Sequence, residues 1–189
     1  MKKWVLGVLG LVGVVVAQQQ ALPKSQIFIG VSTGFSTYNV VKQPYNNAFL
    51  WGLKAGYQYN VNRFVALRGQ MDYIMTLKPT AFNTDVYSFM DVHLDMVNDF
   101  YHSKKFNFGT FVGVGFGYFQ SAMTLHSYVG DRSFMGYNGV VNFGVGGTIA
   151  KKQRVELGVK IPFGKIQSTH PKPLAMDFYY WLVSYAYLF

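Results

Sequence analysis

The 189-residue chain is 18% aromatic but only 13% charged, carries a formal net charge of +9 and contains no cysteine. The missing cysteines exclude a disulfide framework and a thiolate metal site. The basic residues fall in short clusters without interleaved stacking aromatics, so no nucleic-acid partner is expected.

Met1-Lys2-Lys3 is a basic start, and Trp4 to Val16 is uncharged and mostly Val, Leu and Gly. Val15-Val16-Ala17 then supplies small or short residues suited to a cleavage site. This predicts a secretory signal peptide over residues 1–17, with an uncleaved anchor as the alternative, because the run is short of the ~20 residues of a membrane helix. No cysteine follows it, which excludes a lipid-anchored start. About 172 residues then remain from Gln18, enough for one domain: a periplasmic lead over 18–26 and a barrel over 27–189.

Eight segments with a period of two follow in order. The first, about Ile27 to Phe35, sets Ile27, Ile29, Val31 and Phe35 against Gly30, Ser32 and Gly34. The second, about Leu50 to Tyr59, sets Trp51, Leu53, Tyr57 and Tyr59 against Gly52, Lys54, Gly56 and Gln58. In the third, Arg63 to Met75, Val65, Leu67, Met71 and Tyr73 oppose Ala66, Arg68, Gln70 and Asp72. In the fourth, Val86 to Phe100, Met90, Val92, Leu94 and Met96 oppose Asp91, His93, Asp95 and Asp99. The fifth, Phe106 to Phe119, alternates aromatic and Val residues with Gly109, Gly113, Gly115 and Gly117. The sixth, Met135 to Ile149, puts Val141, Phe143 and Val145 opposite Asn142, Gly144 and Gly146. The seventh, Arg154 to Phe163, puts Val155, Leu157, Val159 and Ile161 opposite Arg154, Glu156, Gly158 and Lys160. The eighth runs from Tyr179 to Phe189, with Tyr179, Trp181, Val183, Tyr185, Tyr187 and Phe189 on one face.

A soluble domain carries about 25% charged residues, and after the leader no apolar run approaches the ~18 residues of a spanning helix. Apolar faces spread out by alternation therefore predict an all-β fold, an eight-stranded antiparallel up-and-down transmembrane β-barrel. Short connections (Asn60 to Asn62, Tyr101 to Lys105, Ala150 to Gln153) alternate with longer ones (Ser36 to Ala48, Thr76 to Asp85, Gln120 to Phe134, Gly164 to Met176). That is the pattern of periplasmic turns and extracellular loops. Pro162 within the seventh segment marks a place where pairing frays. Asn98, on the outward parity of the fourth, suggests a bulge there.

The aromatic face must look outward, because Lys or Arg at mid-depth in lipid costs roughly 2–4 kcal/mol. The lumen then receives Lys54, Arg68, Asp72, Asp91, His93, Asp95, Arg154, Glu156 and Lys160, four bases and four acids around one histidine. An eight-stranded barrel is just wide enough for side chains to fill, so an ion-paired plug is expected. Asp91-x-His93-x-Asp95 has the donor types of a metal or base site. Ion pairing with Arg68 and Arg154 is the reading taken, with no metal, no cofactor and no catalytic role assigned. The inward glycines of the fifth segment either make room for long side chains on the fourth or aid curvature. His126 and His170 sit in long loops at spacings that match no nucleophile motif.

The terminal segment ending in Phe189 resembles the C-terminal signature of bacterial outer-membrane barrels. The resemblance implies that Val183, Tyr185, Tyr187 and Phe189 are read by the barrel-assembly machinery. The whole pattern is similar to small barrels of the OmpA/OmpX type. The stretch Phe106-Asn107-Phe108-Gly109-Thr110-Phe111-Val112-Gly113-Val114-Gly115-Phe116-Gly117-Tyr118, with the basic charge and aromatic terminus, resembles the Helicobacter-type outer membrane protein family. That implies a place in the bacterial outer membrane, in contact with its lipid. Two functions are expected: a structural or surface-interaction barrel, or a narrow pore lined by the lumen charges. In the first, loop residues such as His126, Tyr128, Arg132, His170 and Lys172 would meet an extracellular ligand.

Overall fold

The computed structural model describes residues 23–40, 46–76, 86–103, 105–125, 130–163, 167–168 and 176–189. The signal peptide and the loop residues His126, Tyr128, His170 and Lys172 lie outside them. Eight long strands are present: β1 Ser25–Val40, β2 Asn46–Asn60, β3 Val65–Thr76, β4 Val86–His102, β5 Phe106–Leu125, β6 Gly130–Ile149, β7 Gln153–Phe163 and β9 Met176–Leu188. A two-residue strand, β8 Gln167–Ser168, lies against β6. Each long strand pairs antiparallel with its chain neighbour, and β9 returns to β1, closing the ring. Closure leaves no strand edge along the barrel wall, which is what lipid requires of a sheet.

The strands run further than their alternation indicates. The expected 36–48 loop continues as a β1–β2 ladder up to Tyr38 and Asn46, and the expected 120–134 loop as a β5–β6 ladder up to Leu125 and Gly130. Beyond the apolar layer both faces of a strand meet water, so hydrophobic period no longer marks it. The irregularity in β4 falls between Asp99 and Tyr101, just past Asn98, and leaves Phe100 and Tyr101 both exposed. At Pro162 the pairing with β6 persists, but the ladder to β9 stops at Lys160 and Tyr180.

Three short turns and both ends of the described chain share one end of the barrel. In the first turn the Asn62 Oδ1 accepts from the Phe64 and Val65 amides at 2.7 and 2.8 Å. In the third, Ala150 and Lys151 have φ of 50° and 63°, and the Lys152 amide closes on the Ile149 carbonyl. Two positive φ values in succession suit Asn-Gly far better than Ala-Lys. Lys151→Gly is therefore expected to raise stability by about 1 kcal/mol, read as a higher urea midpoint for unfolding from detergent.

Register fixes the geometry of the wall. A circuit across the strands from Gln26 passes Gln58, Arg68, Asp95, Gly113, Asn142, Lys160 and Tyr180. It returns to β1 at Ser36, a stagger of ten residues. Every residue on this circuit faces inward and is buried. Such stagger goes with strand tilts of about 35–45°. On the outer face the contrast is sharp: Leu94 is 70% exposed and the adjacent Asp95 2%. Two aromatic bands flank the apolar wall. Phe100, Tyr101, Phe106 and Phe108 meet near the short turns, and Phe116, Tyr118 and Tyr137 toward the long connections. From Phe108 to Phe116 the wall rises roughly 20 Å at about 3.4 Å per residue and this tilt, in keeping with an apolar band of ~25 Å once the rings are added.

The lumen is not polar throughout. Phe28, Ala186 and Leu188 cluster toward the short turns, as do Ala66, Val97 and Phe111. Toward the long connections Leu50, Ile74, Phe89, Phe119 and Tyr180 are wholly buried, with the Phe89 and Tyr180 rings stacked at 5.5 Å. A charged belt lies between these two layers.

Candidate functional site

The belt is built from side chains of β2, β3, β4, β6, β7 and β9, and its charged residues are all buried apart from the partly covered Asp99. Glu156 on β7 is one centre. Its Oε2 accepts from Lys54 Nζ at 2.9 Å, and its Oε1 accepts from Arg68 Nη1 at 2.5 Å and Arg154 Nε at 2.7 Å. Arg68 also grips Asp95, its cross-strand neighbour, through Nε and Nη2 at 3.0 and 2.7 Å. The rings of Phe28 and Phe111 lie 5.8 and 5.3 Å from its guanidinium carbon.

Lys160 is the other centre. Asp72 and Asp91 are direct cross-strand neighbours, a repulsive placement on its own. Lys160 reaches across from β7 and donates to Asp72 Oδ2 at 2.5 Å and to both Asp91 oxygens at 2.9 and 2.7 Å. Gln70 donates to the other Asp72 oxygen at 2.7 Å. His93 Nδ1 lies 2.6 Å from Asp91 Oδ1, and its Nε2 lies 3.3 Å from the Asn142 amide nitrogen, which also donates to Asp95. This arrangement fits the tautomer with the proton on Nδ1, donating to Asp91. Asn142 and Asp95 join the two centres into one network.

Several partners differ from those the spacing suggests. Arg154 does not meet Asp91, His93 or Asp95; it bonds Glu156, Asp99 and Thr148. Among the described side chains of the lumen network, Asp99 makes a fifth carboxylate against four cations. Ser184, Thr148, Gln70 and Asn142 complete the network. They were legible only as uncharged residues of inward parity, with nothing to single them out. Asp72, Asp91 and His93 bring three donor atoms within 4.8 Å of one another, the reach of a metal site. The place a cation would take between the two carboxylates is filled by the Lys160 ammonium, so these residues do not fit a metal.

The glycines of β5 explain how this crowding is possible. Gly113, Gly115 and Gly117 pair with Asp95, His93 and Asp91. A Cβ on Gly113 would strike the Asp95 carboxylate, one on Gly115 would strike His93 Cβ, and one on Gly117 would lie 2.8 Å from Asp91 Cβ. The side chains of β4 lean over the bare backbone of β5, so room for them is the reason for the glycine column.

A family model for the Helicobacter outer membrane protein matches residues 52–189, most of the chain. The chain belongs to that family. No curated protein matches it. Among solved structures, this Helicobacter-type outer membrane protein is similar to Ail, the attachment invasion locus protein of Yersinia pestis. The TM-score is 0.56 and the identity 14%, over 87% of this chain and 97% of that one. It is similar to Neisserial surface protein A at a TM-score of 0.57 and 10% identity, over 86% and 97% of the two chains. A major outer membrane protein from Thermus thermophilus follows at 0.54 and 10%, over 87% and 99%. At these identities the likeness is one of fold. Family and fold together place the protein in the bacterial outer membrane, where the aromatic bands meet the two lipid interfaces. Val183 and Tyr185 lie exposed on the outer face of β9 and Phe189 lies exposed just past its end, with Tyr187 half-buried against the Phe189 ring.

Proposed function

We propose that this outer membrane protein is a closed structural barrel that meets other molecules through its long connections, and that its lumen conducts no solute. The observation that carries this reading is the layered lumen: an ion-paired belt held between two layers of apolar side chains. Two cavities inside it, among the described residues, are of water size. One lies among Lys54, Asp72, Asn142, Glu156 and Lys160 and another behind the short turns, each about 20 Å³, room for about one water apiece. The reading includes no catalysis, since His93 is enclosed between Asp91 and Asn142. A surface role for a barrel of this build is in keeping with the attachment named for the Yersinia pestis protein.

Single-channel recording of the refolded protein in a planar bilayer tests this. The unaltered protein is expected to give no conductance steps. Arg68→Ala, which removes the side chain joining Asp95 to Glu156, is expected to give brief openings. Stable, ion-selective steps from the unaltered protein would instead make the barrel a narrow pore with the belt as its filter.

A further inference from the structure

The lipid-facing wall carries a dent. Gly69 on β3 points outward, and a Cβ placed there would meet only Leu94 Cδ2, at 3.6 Å. Outward glycines on such a wall leave a gap that neighbouring side chains must line. Here Tyr57 and Leu94 flank Gly69 in register, with Tyr59, Leu67 and Met96 below, and they enclose an open apolar groove of about 610 Å³. That volume falls in the range of ligand sites. The groove sits next to the short-turn rim, since Tyr59 and Leu67 close on the 61–64 turn.

Cations stand on the rim below it. Lys24 Nζ lies 5.9 Å from the ring centre of Tyr59, a residue of the groove, and Arg63 follows in the adjoining 61–64 turn, its guanidinium carbon 4.4 Å from the ring centre of Phe64. They belong to a wider pattern, because the other charged side chains described at this rim are also basic: Lys105, Lys151 and Lys152. Asp99, whose amide bonds the Phe64 carbonyl, turns its carboxylate inward to Arg154. A second groove of about 540 Å³ beside Trp181 has no such cation–aromatic pair at its edge among the described residues.

We propose that the Gly69 groove and the cations below it form a binding site for an anionic phospholipid. One acyl chain lies in the groove against Tyr57, Leu67 and Leu94, and the phosphate is held by Lys24 and Arg63. The missing side chain supplies the room for the chain, and the surplus of basic side chains at this rim supplies the preference for an acidic headgroup. Cations near a membrane surface each contribute on the order of 1 kcal/mol toward anionic lipid, a bias of several-fold per residue.

The test uses delipidated, refolded protein offered equal amounts of phosphatidylglycerol and phosphatidylcholine, with retained lipid counted by native mass spectrometry. The expected result is phosphatidylglycerol retained about tenfold over phosphatidylcholine. Lys24→Gln with Arg63→Gln should bring that ratio to about one. Gly69→Leu, which fills the groove on an open face, should reduce retention of both lipids to background while the barrel still shows its folded mobility on unheated gels. Unchanged retention in Gly69→Leu, or an unchanged ratio in the charge variant, would overturn the site. So would glycerol phosphate competing as well as whole phosphatidylglycerol, which would leave only a headgroup site. A cross-linked dimer abolished by Gly69→Leu would assign the groove to a second copy and also overturn it.

Discussion

Glu156→Ala is expected to destabilise the folded barrel by about 3–5 kcal/mol, the cost of breaking a buried ion pair by removing one partner. Lys54, Arg68 and Arg154 converge on this one carboxylate. Arg68 and Arg154 keep Asp95 and Asp99, but Lys54 retains only the Ser184 hydroxyl, at 3.1 Å. The change therefore leaves the Lys54 ammonium without an ion pair, because the oxygens of its cross-strand neighbour Asp72 are already taken by Lys160 and Gln70. The measurement is the urea midpoint for unfolding from detergent, followed by tryptophan fluorescence. Lys54→Met in the Glu156→Ala background should recover part of the loss, because an apolar side chain of similar length removes the stranded charge. If the two losses simply add, Glu156 and Lys54 are not coupled and the network is not centred where the distances put it.

Gly115→Leu is expected to keep most of the protein from reaching its folded state. The first added carbon already lies against His93 Cβ and the Val92 carbonyl. The rest of the side chain would enter space held by His93, whose ring is fixed at both nitrogens by Asp91 and Asn142. Overpacking a core costs about 1–3 kcal/mol, occasionally more, and backbone contacts put this position at the high end. Unheated gel mobility reports the folded fraction. Gly115→Ala should give an intermediate loss, and pairing it with His93→Gly should recover part of the folded fraction, because glycine removes the contacted Cβ while the Val92 carbonyl stays. Wild-type yields from Gly115→Leu would mean that β4 and β5 stand further apart than their register implies.

Much of the wall was readable from alternation alone, because lipid outside and charge inside impose opposite chemistry on successive residues. The inward positions of Lys54, Arg68, Asp72, Asp91, His93, Asp95, Arg154, Glu156 and Lys160 follow from that rule. What alternation hides is the content of the inward face where it is apolar. Phe28, Phe89, Phe111, Phe119 and Tyr180 share the parity of the charges, and a search for polar residues passes over them. Partner choice was also out of reach. Lys160 meets Asp91, and Lys54 meets Glu156, across the lumen and between distant strands, a pairing set by the stagger of the closed ring. The strand extensions past the membrane, such as Ser121 to Leu125, keep their ladder but lose the chemical contrast that marks it.

The ten-residue return from Gln26 to Ser36 has a consequence for assembly. The β1–β9 seam joins the two most distant strands of the chain, and a slip of one residue there would turn an entire face inside out. A slip of two would keep every face correct and every amide paired, so hydrophobic patterning is blind to it. Such a slip changes the stagger to eight or twelve and with it the girth of the barrel. It would also carry Ser184 away from Lys54 and shift Glu156 relative to the cations it holds in common. The charged belt thus works as a gauge: among barrels that lipid would accept equally, only one calibre lets every lumen charge find its counterpart.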